Sequence, residues 1–217
     1  MSKKRIVSVM PIKLNNERLP GKNTMMLGDK PLIRYELDTL LSIKEISDIY
    51  VFCSQDSIKK YLPQSVRYLK RPEYLDLPTS NFNQIFDEFL KIIDADIYVY
   101  AHATAPFVKK ESIEKCLSAV ISRQYDSAFC ATEIRDFLWK DGKPLNFDAS
   151  NVPRSQDLDP IYEETSGVYV FTKKSYERTH RRIGEKPYIC ITSKKEAVDI
   201  NTVEDFELAK LYLNADE

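Results

Sequence analysis

Short apolar runs alternate along this chain with longer stretches in which apolar residues recur every three or four positions. The runs are typical of buried strands, and the longer pattern is typical of helices that bury one face. The runs predict strands at residues 5–10, 48–53, 66–69, 96–101, 127–132, 166–171 and 188–192. This alternation predicts an α/β fold in which a mainly parallel sheet, built from right-handed βαβ units, is flanked by helices.

Helical spacing occurs at residues 31–41, 82–93, 112–121 and after Thr202, which we expect to cap the last helix. The second stretch is the clearest, because its apolar side chains form one continuous face: Phe82, Ile85, Phe86, Phe89, Leu90 and Ile93. Thr79 and Ser80 are the expected caps of this helix, and Ser54 is the expected cap of a short helix at residues 56–61. The basic residues 176–182 predict a surface segment.

The regular pattern breaks at residue 137. Residues 137–145 predict a hairpin that turns on an Asp-Gly pair, and residues 146–164 are polar and contain prolines. Long irregular stretches inside a compact domain usually have a function. We therefore expect residues 1–217 to form a single domain, with residues 137–165 as an excursion from it.

Composition excludes several classes of protein. The 217 residues carry 32 Lys+Arg and 33 Asp+Glu, a net charge of −1, which argues against a dedicated nucleic-acid binder. No apolar run approaches the roughly 18 residues of a membrane helix, and no signal peptide is evident, so we expect a cytoplasmic protein with no membrane partner. Four widely spaced cysteines predict reduced core thiols rather than a zinc site. The five glycines form neither a dinucleotide-binding fingerprint nor a P-loop.

The loop after the first strand concentrates positive charge. Lys13, Arg18 and Lys22 fall on it, opposed only by Glu17, and a Pro-Gly pair forces a turn inside it. Ligands of open α/β sheets bind outside the carboxyl ends of the strands, and grouped cations there suit a polyphosphate. The alternative is a solvated surface turn, because charged runs usually face solvent.

Residues 18–23, Arg-Leu-Pro-Gly-Lys-Asn, and residues 27–33, Leu-Gly-Asp-Lys-Pro-Leu-Ile, resemble the signature of the acylneuraminate cytidylyltransferases. This family comprises the CMP-sialic acid synthetases and the relatives that activate other nonulosonic acids. Residues 154–162 are similar to a second family motif, Arg-x-Gln-Asp-Leu-x-Pro-x-Tyr. The resemblance implies a Rossmann-like nucleotide-diphospho-sugar transferase fold. It also implies a homodimer in which the excursion closes the partner's active site.

The activity that the resemblance implies is transfer of CMP from CTP to a sialic-acid-like sugar acid, with Mg²⁺ as cofactor and release of pyrophosphate. Lys13, Arg18 and Lys22 would then act as the catalytic cations at the phosphates, and Asn23 would orient the base or ribose. Three further positions fall on the nucleotide side by the same resemblance: Arg71, Thr79 and Ser80. A turn cation is the alternative for Arg71, and helix capping is the alternative for the two hydroxyl residues.

The sugar acid would contact residues from two segments. His102 replaces a glutamine of the family pattern and Thr104 keeps that pattern, while a structural role is the alternative for the histidine. Arg154 suits the carboxylate of a sugar acid and Gln156 suits its hydroxyls. An ion pair at a dimer interface is the alternative for these two residues.

The resemblance places magnesium on two aspartates, and the corresponding residues here are Asp199 and Asn201. Two residues apart on an extended segment, they point the same way. The change to asparagine, Glu17 in place of lysine and Lys13 in place of arginine lead us to expect a lower positive field and weaker metal binding. The alternatives are therefore a nucleotidyltransferase for another sugar or sugar phosphate, or an inactive nucleotide- or sugar-binding homologue.

Overall fold

The computed structural model describes residues 4–215. Its strands are β1 (Ile6–Ile12), β2 (Met26–Leu27), β3 (Lys30–Pro31), β4 (Asp48–Cys53), β5 (Arg67–Lys70), β6 (Ile97–Ala101), β7 (Ser127–Ile134), β8 (Trp139–Lys140), β9 (Lys143–Pro144), β10 (Ile161–Thr172) and β11 (Pro187–Ile191). Its α-helices are α1 (Leu32–Leu41), α2 (Phe82–Leu90), α3 (Lys110–Ile121), α4 (Lys173–Thr179) and α5 (Val203–Asn214). The α/β alternation predicted from the apolar pattern is confirmed.

Seven strands form one sheet in the order β11-β7-β10-β6-β1-β4-β5. All neighbours are parallel except β10, which runs antiparallel to both β6 and β7. The sheet is therefore mainly parallel, as expected. Strand β1 lies between β4 and β6 and is parallel to both, so the carboxyl ends of the three strands lie at the same edge of the sheet.

The sheet is covered by apolar packing on both faces. Helices α1 and α3 pack on one face with side chains such as Leu37 and Leu117, and α2 and α4 pack on the other with Phe86 and Tyr176. A third apolar group, with Phe206 of α5 at its centre, joins the last helix to the loop after β1. Since β1, β4 and β6 are buried on both faces, they read as continuous apolar runs.

Several helix ends differ from the expected ones. Asn81 caps α2, because its side chain accepts from the Gln84 backbone N–H at 3.1 Å, and the Gln84 side chain accepts from the Asn81 backbone N–H at 2.9 Å. The Ser80 hydroxyl instead donates to the carbonyl of Tyr74. Ser54 does not cap the 3₁₀ helix Asp56–Tyr61, since its hydroxyl donates to Asp76. Short polar side chains satisfied elsewhere explain these wrong predictions.

Two polar segments are more ordered than the sequence suggests. Strand β10 begins at Ile161, five residues before the predicted strand, so the end of the 137–165 excursion is part of the sheet. Residues 176–182 were expected on the surface, yet Tyr176 of α4 is 2% exposed.

The hairpin is confirmed as β8 and β9, with Asp141 and Gly142 at positive φ in the turn. Among residues 4–215, no helix has the length and apolar character to cross a membrane.

Three of the four cysteines meet inside the protein. Cys116 of α3, Cys130 of β7 and Cys190 of β11 place their sulfur atoms within 4.8 Å of one another, and Cys53 lies apart. All four are buried and free, which confirms the prediction of unpaired core thiols. Sequence spacing gave no sign of this cluster, because only the strand order brings β7 and β11 together.

Candidate active site

The loop after β1 is held at the carboxyl edge of the sheet. Gly21, at φ 68°, leads into a 3₁₀ turn over Lys22–Thr24, and its left-handed conformation favours glycine. The side-chain amide of Asn23 donates to the Lys13 carbonyl at 3.0 Å and closes the loop on itself. Leu19 of this loop packs with Ile200 and Phe206, which brings residues near 200 to the same edge.

Lys22 and Arg18 converge on one acceptor. The Lys22 ammonium donates to the Ile200 carbonyl at 2.7 Å and to Asn201 Oδ1 at 3.0 Å, and Arg18 Nη2 donates to the same Oδ1 at 2.9 Å. Lys22 is only 8% exposed. Burial lowers the pKa of Lys22, an effect that Asp199 opposes and Arg18 reinforces. The structure therefore brings together the two cations and the two candidate metal ligands.

Asp199 is the residue of this group with a free ligand atom. Its Oδ2 accepts from Asn201 Nδ2 at 2.7 Å, whereas its Oδ1 is buried without a hydrogen-bond partner. An unpartnered buried carboxylate oxygen beside the cationic loop after β1 fits one Mg²⁺, which prefers one or two carboxylates together with phosphate and water oxygens. The Asn201 oxygen faces two cations instead, so the fit rests on Asp199.

Thr202 is the N-cap of α5, as predicted. Its hydroxyl accepts from the Asp205 backbone N–H at 3.3 Å, while the Asp205 carboxylate accepts from the backbone N–H groups of Asn201 and Thr202 at 2.9 and 2.8 Å. Burial opposes ionisation of Asp205, but the hydrogen bonds from the Asn201 and Thr202 backbone N–H groups outweigh it and lower the pKa of Asp205. The capping box thus fixes the backbone that presents Asp199 and Asn201.

His102 follows β6 and lies between aromatic rings. Its ring centroid is 5.2 Å from that of Tyr100 and 5.9 Å from that of Tyr169. Burial lowers the pKa of His102, and the carboxylate of Asp199 opposes this effect. The imidazole is therefore neutral at pH 7. The backbone carbonyl of Thr104 accepts from Ile200 N–H at 2.8 Å, which docks this loop against the Asp199 segment.

The residues expected on the nucleotide side, Arg71, Thr79 and Ser80, follow β5 in the chain. Arg71 is 2% exposed and ion-paired with Asp76, which also accepts from Ser54. Its Nε–H has no hydrogen-bond partner among residues 4–215. Thr79 is exposed and Ser80 partly exposed. An open cleft of about 430 Å³ adjoins this segment, lined in part by Asn15, Ser54, Gln55, Asp76 and Leu77.

Arg154 and Gln156 are not brought to this group within the protomer. Arg154 is mostly exposed and pairs with Asp157 three residues on, at 2.7 and 3.1 Å. The carbonyl of Gln156 accepts from Arg135 at 3.3 Å. Within residues 4–215, no hydrogen bond or ion pair joins either side chain to Lys22 or to the residues around it, Arg18, Asp199 and Asn201. Their assignment to the sugar acid stays a prediction.

Sequence reasoning missed a charged group next to His102. Arg182 Nη2 donates to Glu164 Oε1 at 2.6 Å, and the guanidinium carbon lies 4.1 Å from the centroid of the Tyr169 ring. The Tyr169 hydroxyl also donates to Glu164, at 2.5 Å. Arg182 is close enough to contribute to the lowered pKa of His102. No local pattern marks Arg182, because it belongs to a basic run that looks like solvent-facing surface.

Residues 8–212 match the family model described as Cytidylyltransferase, which is nearly the whole chain. The chain belongs to the cytidylyltransferase family. The resemblance noted in its motifs is thereby confirmed, and the match covers both the loop after β1 and the Asp199 segment.

Curated relatives agree at modest identity. The pseudaminic acid cytidylyltransferase of Campylobacter jejuni is 24% identical over 94% of each chain. The CMP-N,N'-diacetyllegionaminic acid synthase of Legionella pneumophila is 27% identical over 95% of each chain. The N-acylneuraminate cytidylyltransferase of Oncorhynchus mykiss is 24% identical over 81% of this chain. The chain spans only 43% of that last relative's length, and about half the length of similarly named streptococcal relatives.

Solved structures confirm the Rossmann-like nucleotidyltransferase fold. A CMP:2-keto-3-deoxy-manno-octonic acid synthetase, solved in complex with CTP, aligns with a TM-score of 0.74 at 14% identity and covers 98% of this chain and 100% of its own. A 4-diphosphocytidyl-2C-methyl-D-erythritol synthase from Anaerococcus prevotii aligns with a TM-score of 0.69 at 19% identity, covering 97% of this chain and 96% of its own. At these identities the likeness concerns the fold.

Proposed function

We propose that this protein transfers CMP from CTP to a sialic-acid-like nonulosonic sugar acid and releases pyrophosphate. The observation that carries the proposal is the convergence of Lys22 and Arg18 with Asp199 at the carboxyl edge of the sheet, in a chain whose family match spans residues 8–212. The relatives with nearly full mutual coverage are named for pseudaminic and legionaminic acids, which supports a sugar acid as acceptor.

In the proposed reaction, a sugar hydroxyl attacks the α-phosphate of CTP in line and pyrophosphate leaves. Lys13, Arg18 and Lys22 neutralise the phosphates, and Lys22 holds the departing pyrophosphate, so the rate gain comes from positioning and charge. Asn23 shapes the loop at the ribose end. Asp199 would hold Mg²⁺, which would supply positive charge at the α-phosphate and favour ionisation of the attacking hydroxyl.

The base of CTP lies against Arg71, Thr79 and Ser80 in this proposal. The acceptor contacts His102 and Thr104, and a neutral His102 donates one hydrogen bond and keeps its other nitrogen as an acceptor. Arg154 and Gln156 reach the acceptor of a second protomer, which would explain why they stay exposed within one protomer. The working form is then a cytoplasmic homodimer with magnesium.

The test is pyrophosphate release with CTP, UTP, ATP or GTP, in the presence of magnesium, across a panel of eight- and nine-carbon keto-sugar acids. We expect release with CTP and at least one nine-carbon acid, and a CMP-sugar product by mass spectrometry. The matched control is Lys22→Met, which keeps the length of the side chain and removes its charge. Release with another nucleotide would favour the alternative nucleotidyltransferase. CTP binding without release from any pair would favour a binding protein.

A further inference from the structure

The contacts of Asn201 fix which way its amide points. Lys22 and Arg18 can only donate, so the atom that faces them at 3.0 and 2.9 Å is the amide oxygen. Asp199 accepts from the other side at 2.7 Å, so the atom that faces it is the NH₂ group. The network itself therefore sets the orientation, and the two ends of the amide have different tasks.

In this orientation a hydrogen bond joins the two candidate metal ligands, Asn201 and Asp199. The amide hydrogen lies between residue 201 and Asp199 Oδ2, over a separation of 2.7 Å. If residue 201 were an aspartate, two carboxylate oxygens at that separation would repel one another unless a proton or a cation lay between them. In this chain the amide hydrogen holds the side chains of residues 199 and 201 together, as a cation would hold two carboxylates together.

The charge around Lys22 changes accordingly. Two neighbouring cations, Lys13 and Arg18, act on Lys22 here against two carboxylates, Asp199 and Asp205. An aspartate at 201 would add a third carboxylate in contact with both Lys22 and Arg18. With asparagine, Lys13, Arg18 and Lys22 outnumber these two carboxylates without any metal, and the carboxylate of Glu17 on the same loop is exposed to solvent.

We propose that the amide of Asn201 takes the place of one divalent cation at this site. The protein then binds a nucleoside triphosphate without metal, and it takes up one divalent cation, at the unpartnered Oδ1 of Asp199. This inference rests on the proposed function, because it concerns the same phosphate site. Asn201 acts as a positioning residue, since it works through Lys22, Arg18 and Asp199.

Titration calorimetry of the whole protein with CTP, in EDTA and in excess Mg²⁺, tests the proposal. For the native protein we expect dissociation constants that differ by less than about threefold between the two conditions. For Asn201→Asp we expect binding in EDTA to weaken by at least about tenfold and Mg²⁺ to restore it, because the added charge faces both cations. The control, Asp199→Asn, should bind CTP in EDTA at least as well as the native protein and should not respond to Mg²⁺.

Binding of Mn²⁺, followed by its paramagnetic resonance signal, gives a readout that does not depend on activity. We expect one weak site in the native protein, a tighter site in Asn201→Asp and none in Asp199→Asn. Circular dichroism confirms that each variant is folded. Native CTP binding that requires Mg²⁺, or equal binding in EDTA by the native protein and Asn201→Asp, would overturn the inference and leave the proposed function intact. Absence of CTP binding in both conditions would overturn the proposed function itself.

Discussion

The buried ion pair of Arg71 and Asp76 yields a prediction that separates stability from nucleotide binding. The side chain of Arg71 is 3% exposed and that of Asp76 is 13% exposed, and Ser54 donates to the same carboxylate. Removing one partner of a buried pair leaves an uncompensated charge and costs about 3–5 kcal/mol. We expect Asp76→Asn to cost about 3 kcal/mol, the lower end, because its amide oxygen still accepts a hydrogen bond from Arg71.

Urea denaturation measures this loss. With a slope of about 3 kcal/mol per molar urea, the midpoint should fall by about 1 M. The control is Glu114→Gln, which breaks an exposed pair with Lys110 whose side chains are 38% and 39% exposed. An exposed pair contributes at most about 1 kcal/mol, so the control midpoint should move by less than about 0.3 M. Equal shifts in Asp76→Asn and Glu114→Gln would refute the reasoning.

The double variant Arg71→Met/Asp76→Leu then isolates the binding role. Apolar side chains of similar volume often recover the stability of a buried ion pair, so we expect its urea midpoint to return toward the native value. We also expect at least a tenfold loss of CTP affinity by calorimetry, because the base loses the Nε–H donor of Arg71, which has no partner inside the protein. Restored stability with unchanged CTP affinity would show that Arg71 is structural only.

Three further predictions concern a cap and two buried ionisable groups. Asn81→Ala removes the capping box of α2 and should lower the free energy of unfolding by about 1 kcal/mol. The control, Thr79→Ala at an exposed position, should change it by less than about 0.5 kcal/mol, and urea denaturation measures both changes. Burial lowers the pKa of Lys22, so CTP affinity should fall with rising pH earlier than an ordinary lysine would allow, and Lys22→Arg should keep its affinity to higher pH; calorimetry from pH 7 to 10 shows whether the two curves separate. Glu36 is completely buried, its two carboxylate oxygens have no partner, and burial raises its pKa well above the usual value. Folding therefore favours the protonated carboxyl, whereas the carboxyl of the unfolded chain ionises at lower pH. Glu36→Leu should stabilise the protein, and the gain should grow as pH rises from 5 to 7; a gain that does not vary with pH would contradict this cause.

The sequence predicts most of the sheet because strands buried on both faces must be apolar throughout. It fails at β10, whose first residues, Ile161–Glu164, include two glutamates and are largely exposed although they pair with β7. It also carries no signal for strand order. Nothing local indicates that an antiparallel strand lies between β6 and β7, and the meeting of Cys130 with Cys190 depends on that order.

Half of the candidate site could be predicted because its residues are close together in the sequence. Lys13, Arg18 and Lys22 are close in sequence, so their grouping is visible in a short stretch. Their connection to residues about 180 positions later came only from family resemblance, and the hydrogen bonds now give it a geometry. Arg182 and Glu164 were missed because a charged residue in a polar stretch looks the same whether it faces solvent or a neighbouring ring.

The departures from the family pattern show why counting charges along a sequence misleads. The changes at positions 13, 17 and 201 together led us to expect a lower positive field. The contacts of Asn201 with Lys22 and Arg18 argue that its own effect is the opposite, because a neutral partner leaves their charge less compensated than an aspartate would. Glu17 does carry an opposing charge, but it is exposed, so solvent screens it. Under the proposed function, the change at 201 therefore removes a carboxylate from the metal site and leaves the phosphate site more positive. One side chain cannot optimise both, since the carboxylate that attracts the cation also neutralises the two residues that attract the triphosphate.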